Sequence, residues 1–260
     1  MGEDYLKLAH DFQAKQISFL VKGDVDGLVD ACYTDDARLH SFQFRAQGHD
    51  AIKEILHLYL QRLSTMGART IDKFEAGRNF IWLELTIDNP QGDAVKVYEV
   101  KFLRDEKIYL QLYGLRQGTV WQDGDFAGFT PPDNQEARAF HQWYLDFHIR
   151  GDADALADDF FTDDARLVTA RIDVTGRESI RSMFRDLFAK ESGFTPLSVE
   201  NITSDVDYVW FEATVMSNLG PRSVYDVMLL QDGKVCLQLV GQLAGVLPTE
   251  AAFGQQVGVK

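Results

Sequence analysis

The stretch YTDDARLH at residues 33–40 returns almost unchanged as FTDDARLV at residues 161–168, an offset of 128 positions. The same offset extends outward from this pair: Gly23 of GDVDGL meets Gly151 of GDADAL, Gly48 of GHDAI meets Gly176 of GRESI, and Trp82 of IWLELTI meets Trp210 of VWFEATV. After one deleted residue the offset becomes 127, aligning Tyr98 of VYEVKF with Tyr225 of VYDVML and Gln111 of IYLQLYG with Gln238 of VCLQLVG. The chain is therefore two copies of one unit, residues 1–118 and 135–246. A repeat of this length is a whole domain, not a solenoid element, and 260 residues suit two domains of ~100–150 residues each. The intervening TVWQDGDFAGFTPPDN, residues 119–134, has the glycines and paired prolines of a linker, and residues 247–260 are expected to form a tail.

Each copy shows the same order of local patterns. In the first, Tyr5, Leu8, Phe12, Gln16 and Phe19 fall at helical spacing, and Ala137, Phe140, Tyr144 and Phe147 repeat the pattern in the second. Asp24 and Asp152 suit N-caps of a short second helix. An alternating strand follows, then a third helix, then a run of strand-like segments ending near the repeated LQL words. The Asp pair of TDDARL is expected to cap the turn into the first strand. The predicted class is α+β: a curved, mostly antiparallel sheet in each unit, covered on one face by helices that leave a pocket.

Composition narrows the function classes. A net charge of −14, from 40 acidic and 26 basic residues, opposes nucleic acids and anionic membranes as partners. The N-terminus lacks the basic and apolar regions of a signal peptide, and no run is long enough to span a bilayer, so a cytoplasmic location is expected. Cys32 and Cys236, the two cysteines, suggest neither a disulfide framework nor a zinc site. Glycine-rich phosphate loops, HExxH and GxSxG are absent, which argues against nucleotide, zinc and serine-hydrolase chemistry.

A helix ending in GDxDxL, then [YF]TDDARL, a GxxxI helix start and a run of strands together resemble the SnoaL-like branch of the nuclear-transport-factor-2-like (NTF2-like) superfamily, over nearly all of both units. That resemblance implies a cone-shaped fold. It also implies an intrachain pseudo-dimer of the two copies, with further association left open. Relatives include ketosteroid isomerases, polyketide cyclases, scytalone dehydratase, epoxide hydrolases and binding modules without catalysis, so the fold alone does not fix an activity.

Asp226 is the anomaly of the strand SVYDVMLL, an acid among residues that favour burial, which favours its protonated form. Tyr144 lies on the core face of its helix with a hydroxyl that needs a partner. The resemblance gives these two the places of the oxyanion-hole tyrosine and protonated aspartic acid of ketosteroid isomerase, a known example of such a pair. It breaks at the general base, where Thr169 and, in the first copy, Ser41 stand instead of an aspartate. Asp173, on the face of Thr169 by strand alternation, and His148 are the substitute bases, with His141 one helical stretch away. Thr169, Trp210, Glu212 and Met228, with Gln16, Ser41 and Glu99 of the first copy, are the expected substrate contacts. Glu84 and Glu212 could assist epoxide opening, or be solvated cross-strand charges. Gln16 in place of Tyr144, and Glu99 beside Lys101, make the first copy the supporting half. The expected function is cofactor-free isomerisation, cyclisation or dehydration of a small apolar oxygenated ligand, with no metal. The alternatives are a ligand-binding module and a protein-interaction scaffold.

Overall fold

A computed structural model describes residues 2–130 and 134–245, with side chains from residue 5 onward. The chain divides into two units at residue 132. In the first, helices α1 (Gly2–Lys22) and α2 (Val25–Cys32) lead into β1 (Tyr33–His40) and β2 (Arg45–Gln47). Helix α3 (Gly48–Leu63) follows, then β3 (Arg69–Ala76), β4 (Phe80–Ile87), β5 (Val95–Arg104) and β6 (Lys107–Gln117). The second unit repeats this as α4 (Gln135–Arg150), a one-turn α5 (Ala153–Ala155) continued by a π-helical turn (Leu156–Phe160), β7 (Phe161–Val168) and β8 (Asp173–Thr175). It ends with α6 (Arg177–Lys190), β9 (Thr195–Asp205), β10 (Tyr208–Ser217), β11 (Gly220–Gln231) and β12 (Lys234–Ala244).

Each unit holds one six-stranded sheet, in the orders β2-β1-β6-β5-β4-β3 and β8-β7-β12-β11-β10-β9. All pairings are antiparallel except β1 with β6 and β7 with β12. The two-unit α+β architecture expected from the repeat is thus observed. Helices α2 and α3 contribute Val25, Leu28, Ile52 and Ile55 to a core shared with Val97 and Ile108 of the sheet. The second core joins Tyr144 and Phe147 of α4 and Ile180 and Phe184 of α6 to Phe211 and Met228. Burial of such side chains stabilises by roughly 1.5–3 kcal/mol each.

The details show what the repeated words encode. Asp24 accepts a hydrogen bond from the Gly27 N–H at 2.9 Å, and Asp152 from the Ala155 N–H at 3.0 Å, as N-caps do. The TDD words do not cap a turn. They lie within β1 and β7, where the register against β6 and β12 shifts between Tyr33 and Arg38 and between Phe161 and Arg166. That bulge turns the acids to solvent, where Asp36 pairs with Arg104 at 2.5 Å and Asp163 pairs with Arg177. The repeated glycines of the LQL words have a steric cause: a Cβ on Gly114 or Gly241 would meet the ring of Tyr98 or Tyr225 at 2.4 Å or less.

Two further expectations need correction. Tyr5 and Leu8 are exposed, so only the later part of the expected face of α1 holds, with Gln16 buried and Phe12 and Phe19 half-buried, and Ala9 is buried beside them. Residues 119–130 are not a free linker: Val120 and Trp121 are buried in the first core, Phe126 and Phe129 pack half-buried against it, and the Arg45 N–H bonds the Thr130 carbonyl at 3.2 Å. Aromatic side chains inside a glycine-rich stretch made the difference. The tail, 246–260, lies outside the described residues. No helix among them is long and apolar enough to cross a membrane.

Candidate functional site

Strand alternation in the second unit turns Arg222, Val224 and Asp226 of β11 toward α4 and α6, along with Phe211, Ala213 and Val215 of β10 and Gln238 and Val240 of β12. Helix α4 supplies His141, Tyr144 and His148 at helical spacing to the same space, and α6 supplies Met183 and Leu187. They enclose a mostly apolar cavity of ≈ 90 Å³.

Its floor is polar. Gln238 Nε2 donates to Asp226 Oδ1 at 2.6 Å and to the Tyr144 hydroxyl oxygen at 3.1 Å. Tyr144 is held in place by Phe160 of the π-helical turn, ring centroids 4.9 Å apart and nearly parallel. Asp226 is buried, and that burial pushes its pKa up to about 7 against the opposing effect of the Gln238 hydrogen bond. The Tyr144 hydroxyl is pushed well above its ordinary value by burial and then by the neighbouring Asp226 charge. A carboxyl that titrates near neutrality and a phenol that stays protonated make a pair of hydrogen-bond donors below pH ~7.

Both histidines are held neutral. Burial, reinforced by Arg222, brings His148 down to about 3; burial, reinforced by Arg138, brings His141 down to about 4. His148 is packed edge-on by Tyr144, Phe184 and Phe188, with the Phe194 ring 5.1 Å away. Both ring nitrogens of His148, and Nε2 of His141, are buried without a hydrogen-bond partner. On the far wall the Arg222 guanidinium pairs with Glu191 at 2.6 Å and donates to Ser217 Oγ at 3.1 Å.

The structure brings Tyr144, His148, Thr169 and Asp226 to one cavity and sets other expected residues apart. Asp173 begins β8 and is bound in a fork by Arg166, both N···O distances 2.7 Å, away from the cavity, so it does not face Tyr144 or Asp226. Trp210 and Glu212 alternate onto the opposite face of β10, and Glu212 accepts from Asn201 Nδ2 at 2.6 Å. Met228 is fully buried in the core and does not line the cavity. The Thr169 hydroxyl oxygen accepts from the Arg171 and Ile172 N–H groups, and Ser41 does the same for Gln43 and Phe44, so both organise a turn.

In the first unit, Lys101 Nζ lies 3.1 Å from Glu99 and donates to Gln16 Oε1 at 2.9 Å and to Gln13 Oε1 at 3.0 Å. Glu99 is therefore neutralised by the expected ion pair, and Glu84 pairs with Arg116. Trp121 packs on Tyr59 and Tyr113, the counterparts of the cavity-lining Leu187 and Val240. This copy places its own Trp121 there, whereas the described residues of the second unit leave a cavity.

Sequence reasoning missed Gln238, Arg222 and Glu191. Gln238 had a visible signal, since a glutamine at an inward strand position recurs in both LQL words.

No family model and no curated protein matches the chain. Solved structures similar to it include an NTF2-like protein of unknown function from Burkholderia xenovorans LB400, at 20% identity over 48% of this chain and 97% of that one, TM-score 0.36. A candidate polyketide cyclase from Sinorhizobium meliloti is 18% identical over 39% of this chain and 93% of its own, TM-score 0.35. A candidate isomerase of the SnoaL-like family from Agrobacterium tumefaciens is 14% identical over 43% and 99%, TM-score 0.36.

Proposed function

We propose that the second unit is a small-molecule enzyme that activates an oxygen function of a largely apolar ligand by hydrogen-bond donation and moves a proton on it, without a cofactor. Isomerisation, cyclisation and dehydration are the reactions this chemistry serves. The observation that carries the reading is the Asp226–Gln238–Tyr144 cluster at the floor of an apolar cavity. Protonated Asp226 and Tyr144 donate to a carbonyl or hydroxyl oxygen and stabilise the negative charge that develops there.

The acidities of the cavity's groups also favour a particular base. A histidine held near 3 accepts protons poorly at neutral pH, whereas a carboxyl at about 7 is matched to both directions of transfer. Asp226 therefore serves as acid and base in turn, passing its proton to the ligand's oxygen and, once ionised, taking a proton from the adjacent carbon, and the neutral histidines orient the ligand through their free nitrogens. Gln238 accommodates both states: its amide N–H donates to one carboxyl oxygen whether or not the other carries the proton, which leaves that proton for the ligand. At ≈ 90 Å³ the cavity is smaller than the roughly 150 Å³ that admits a benzene ring. A larger ligand must displace Phe194, which sits on the link between α6 and β9 beside Gly193, φ 65°.

The test is native mass spectrometry of the protein with metabolite extracts, run in parallel on Asp226→Asn and Tyr144→Phe. A molecule bound by all three proteins but chemically altered only by wild type establishes catalysis. A molecule bound and returned unchanged by wild type leaves a binding module instead.

A further inference from the structure

The two copies offer a comparison at the far wall of the cavity. Arg222 corresponds, at the 127-residue offset, to Val95, and Glu191 corresponds, at the 128-residue offset, to Leu63. Val95 and Leu63 are buried in the first unit's apolar core. The same fold thus accommodates an aliphatic pair where the second unit carries a buried ion pair.

Replacing a buried ion pair by apolar residues is commonly neutral or stabilising, because desolvating two charges costs more than imperfect pairing returns. The Arg222–Glu191 pair is imperfect in this sense. Both side chains are at most 7% exposed, and the one close approach, Arg222 Nη2 to Glu191 Oε1 at 2.6 Å, lacks hydrogen-bond alignment, while Oε2 has no hydrogen-bond partner. Glu191 moreover follows the last residue of α6, where a negative charge opposes the helix dipole. Packing alone gives no reason for these charges. Their setting gives one: Arg222 lines the cavity that holds Asp226, and among the described residues its polar partners are Glu191 and Ser217, with Phe194 under the guanidinium at 5.8 Å.

Arg222 and Asp226 lie four residues apart on one face of β11, so their Cα atoms are separated by roughly 13 Å at about 3.3 Å per residue. Val224 lies between them, with Ala213, Val215 and Leu187 lining the same space. We infer that the ligand is neutral and carries two oxygen functions at opposite ends of an apolar body, one received by Asp226 and Tyr144 and the other by the Arg222 guanidinium, whose charge Glu191 balances. This rests on the ligand-activating reading above and adds the ligand's shape and charge. A second anionic group would face Glu191 with no further cation among the described residues that line the cavity.

The probes are acetophenone, with one carbonyl, 1,4-diacetylbenzene, with two neutral ones, and 4-acetylbenzoate, with a carboxylate at the second end. Dissociation constants are measured by isothermal titration calorimetry at pH 6. Wild type binds the diketone about tenfold tighter than acetophenone, as one charge-assisted hydrogen bond provides, and binds the carboxylate no tighter than acetophenone. The variant Arg222→Val with Glu191→Leu, which installs the first unit's own pair, loses the preference for the diketone over acetophenone. Arg222→Gln with Glu191→Gln tests the same point with isosteric polar residues should the aliphatic pair not fold. Retention of the preference in either folded variant, or tightest binding of the carboxylate by wild type, overturns the inference and leaves the role of Asp226 and Tyr144 intact. Acetophenone binding unaffected by Asp226→Asn, or absent from wild type, overturns both readings together.

Discussion

Asp226 and Tyr144 are joined through one amide nitrogen: Gln238 Nε2 lies 2.6 Å from the carboxylate and 3.1 Å from the phenol oxygen. The tyrosine thus accepts its hydrogen bond from the protein and keeps its own proton for a ligand. Truncating the amide, as in Gln238→Leu, breaks the link without touching either donor. We expect ligand activation to fall by about tenfold or more, in line with one buried hydrogen bond to a charged group, measured as turnover of whatever molecule wild type converts.

Binding of an oxygen acceptor should follow the protonation of Asp226. The groups facing it are Tyr144, Gln238, the neutral His141 and His148, and the Arg222–Glu191 pair. Because the acid form donates, the affinity for acetophenone is highest below pH ~7 and declines above it, with a midpoint near the carboxyl's value of about 7. In Asp226→Asn the profile is flat between pH 5.5 and 8.5. A midpoint that survives that substitution assigns the titration to another group.

The same shift has a cost in stability. Asp226 is raised in the folded protein from 3.8 to about 7, so its favourable contribution is complete below 3.8 and is lost as pH rises through 7. The ionised, buried acid then destabilises by up to roughly 4 kcal/mol. Asp226→Asn should be more stable than wild type at pH 8 and indistinguishable from it near pH 3.5. Urea unfolding at the two pH values measures this.

His148 acts in the opposite direction. Its pKa falls from 6.5 in the unfolded chain to about 3 in the fold, so stability is fully present above 6.5 and declines as pH drops toward 3. His148→Phe, placed among Phe184, Phe188 and Phe194, should lose less melting temperature than wild type between pH 7 and pH 4. Thermal scans at both pH values report it.

In the first unit, Lys101→Met copies the residue at the matching place in the second and strands Glu99 as an uncompensated buried charge. A destabilisation of about 3–5 kcal/mol is expected. Adding Glu99→Gln removes the stranded charge and should restore much of the loss. Equal loss in the single and double variants shows that the lysine matters for packing instead.

Much of this architecture was legible because a duplication supplies its own alignment: the helices, the first strand and the last three strands of each unit are expected twice and found twice, whereas β3 and β9, exposed along much of their length, carry no alternation that announces them. Tyr144 and Asp226 stood out because polar groups at inward positions contradict their neighbours. Gln238 is a polar group at an inward position too, but Gln111 matches it, so the difference between the copies does not single it out. Asp173 was misplaced because face alternation was carried through residues 169–172, where the chain reverses so that Val168 pairs with Asp173. Alternation holds along a strand and not across a turn. Arg222 and Glu191 sit on separate elements, and no local pattern announces a contact between them.

Trp121 gives the duplication a further meaning. Its indole rests on Tyr59 and Tyr113, where the second unit leaves room above Leu187 and Val240. The first copy thus supplies from its own chain the side chain that occupies this place, whereas the described residues of the second leave it open. One inserted indole, on a frame that the duplication otherwise preserves, decides what the frame encloses.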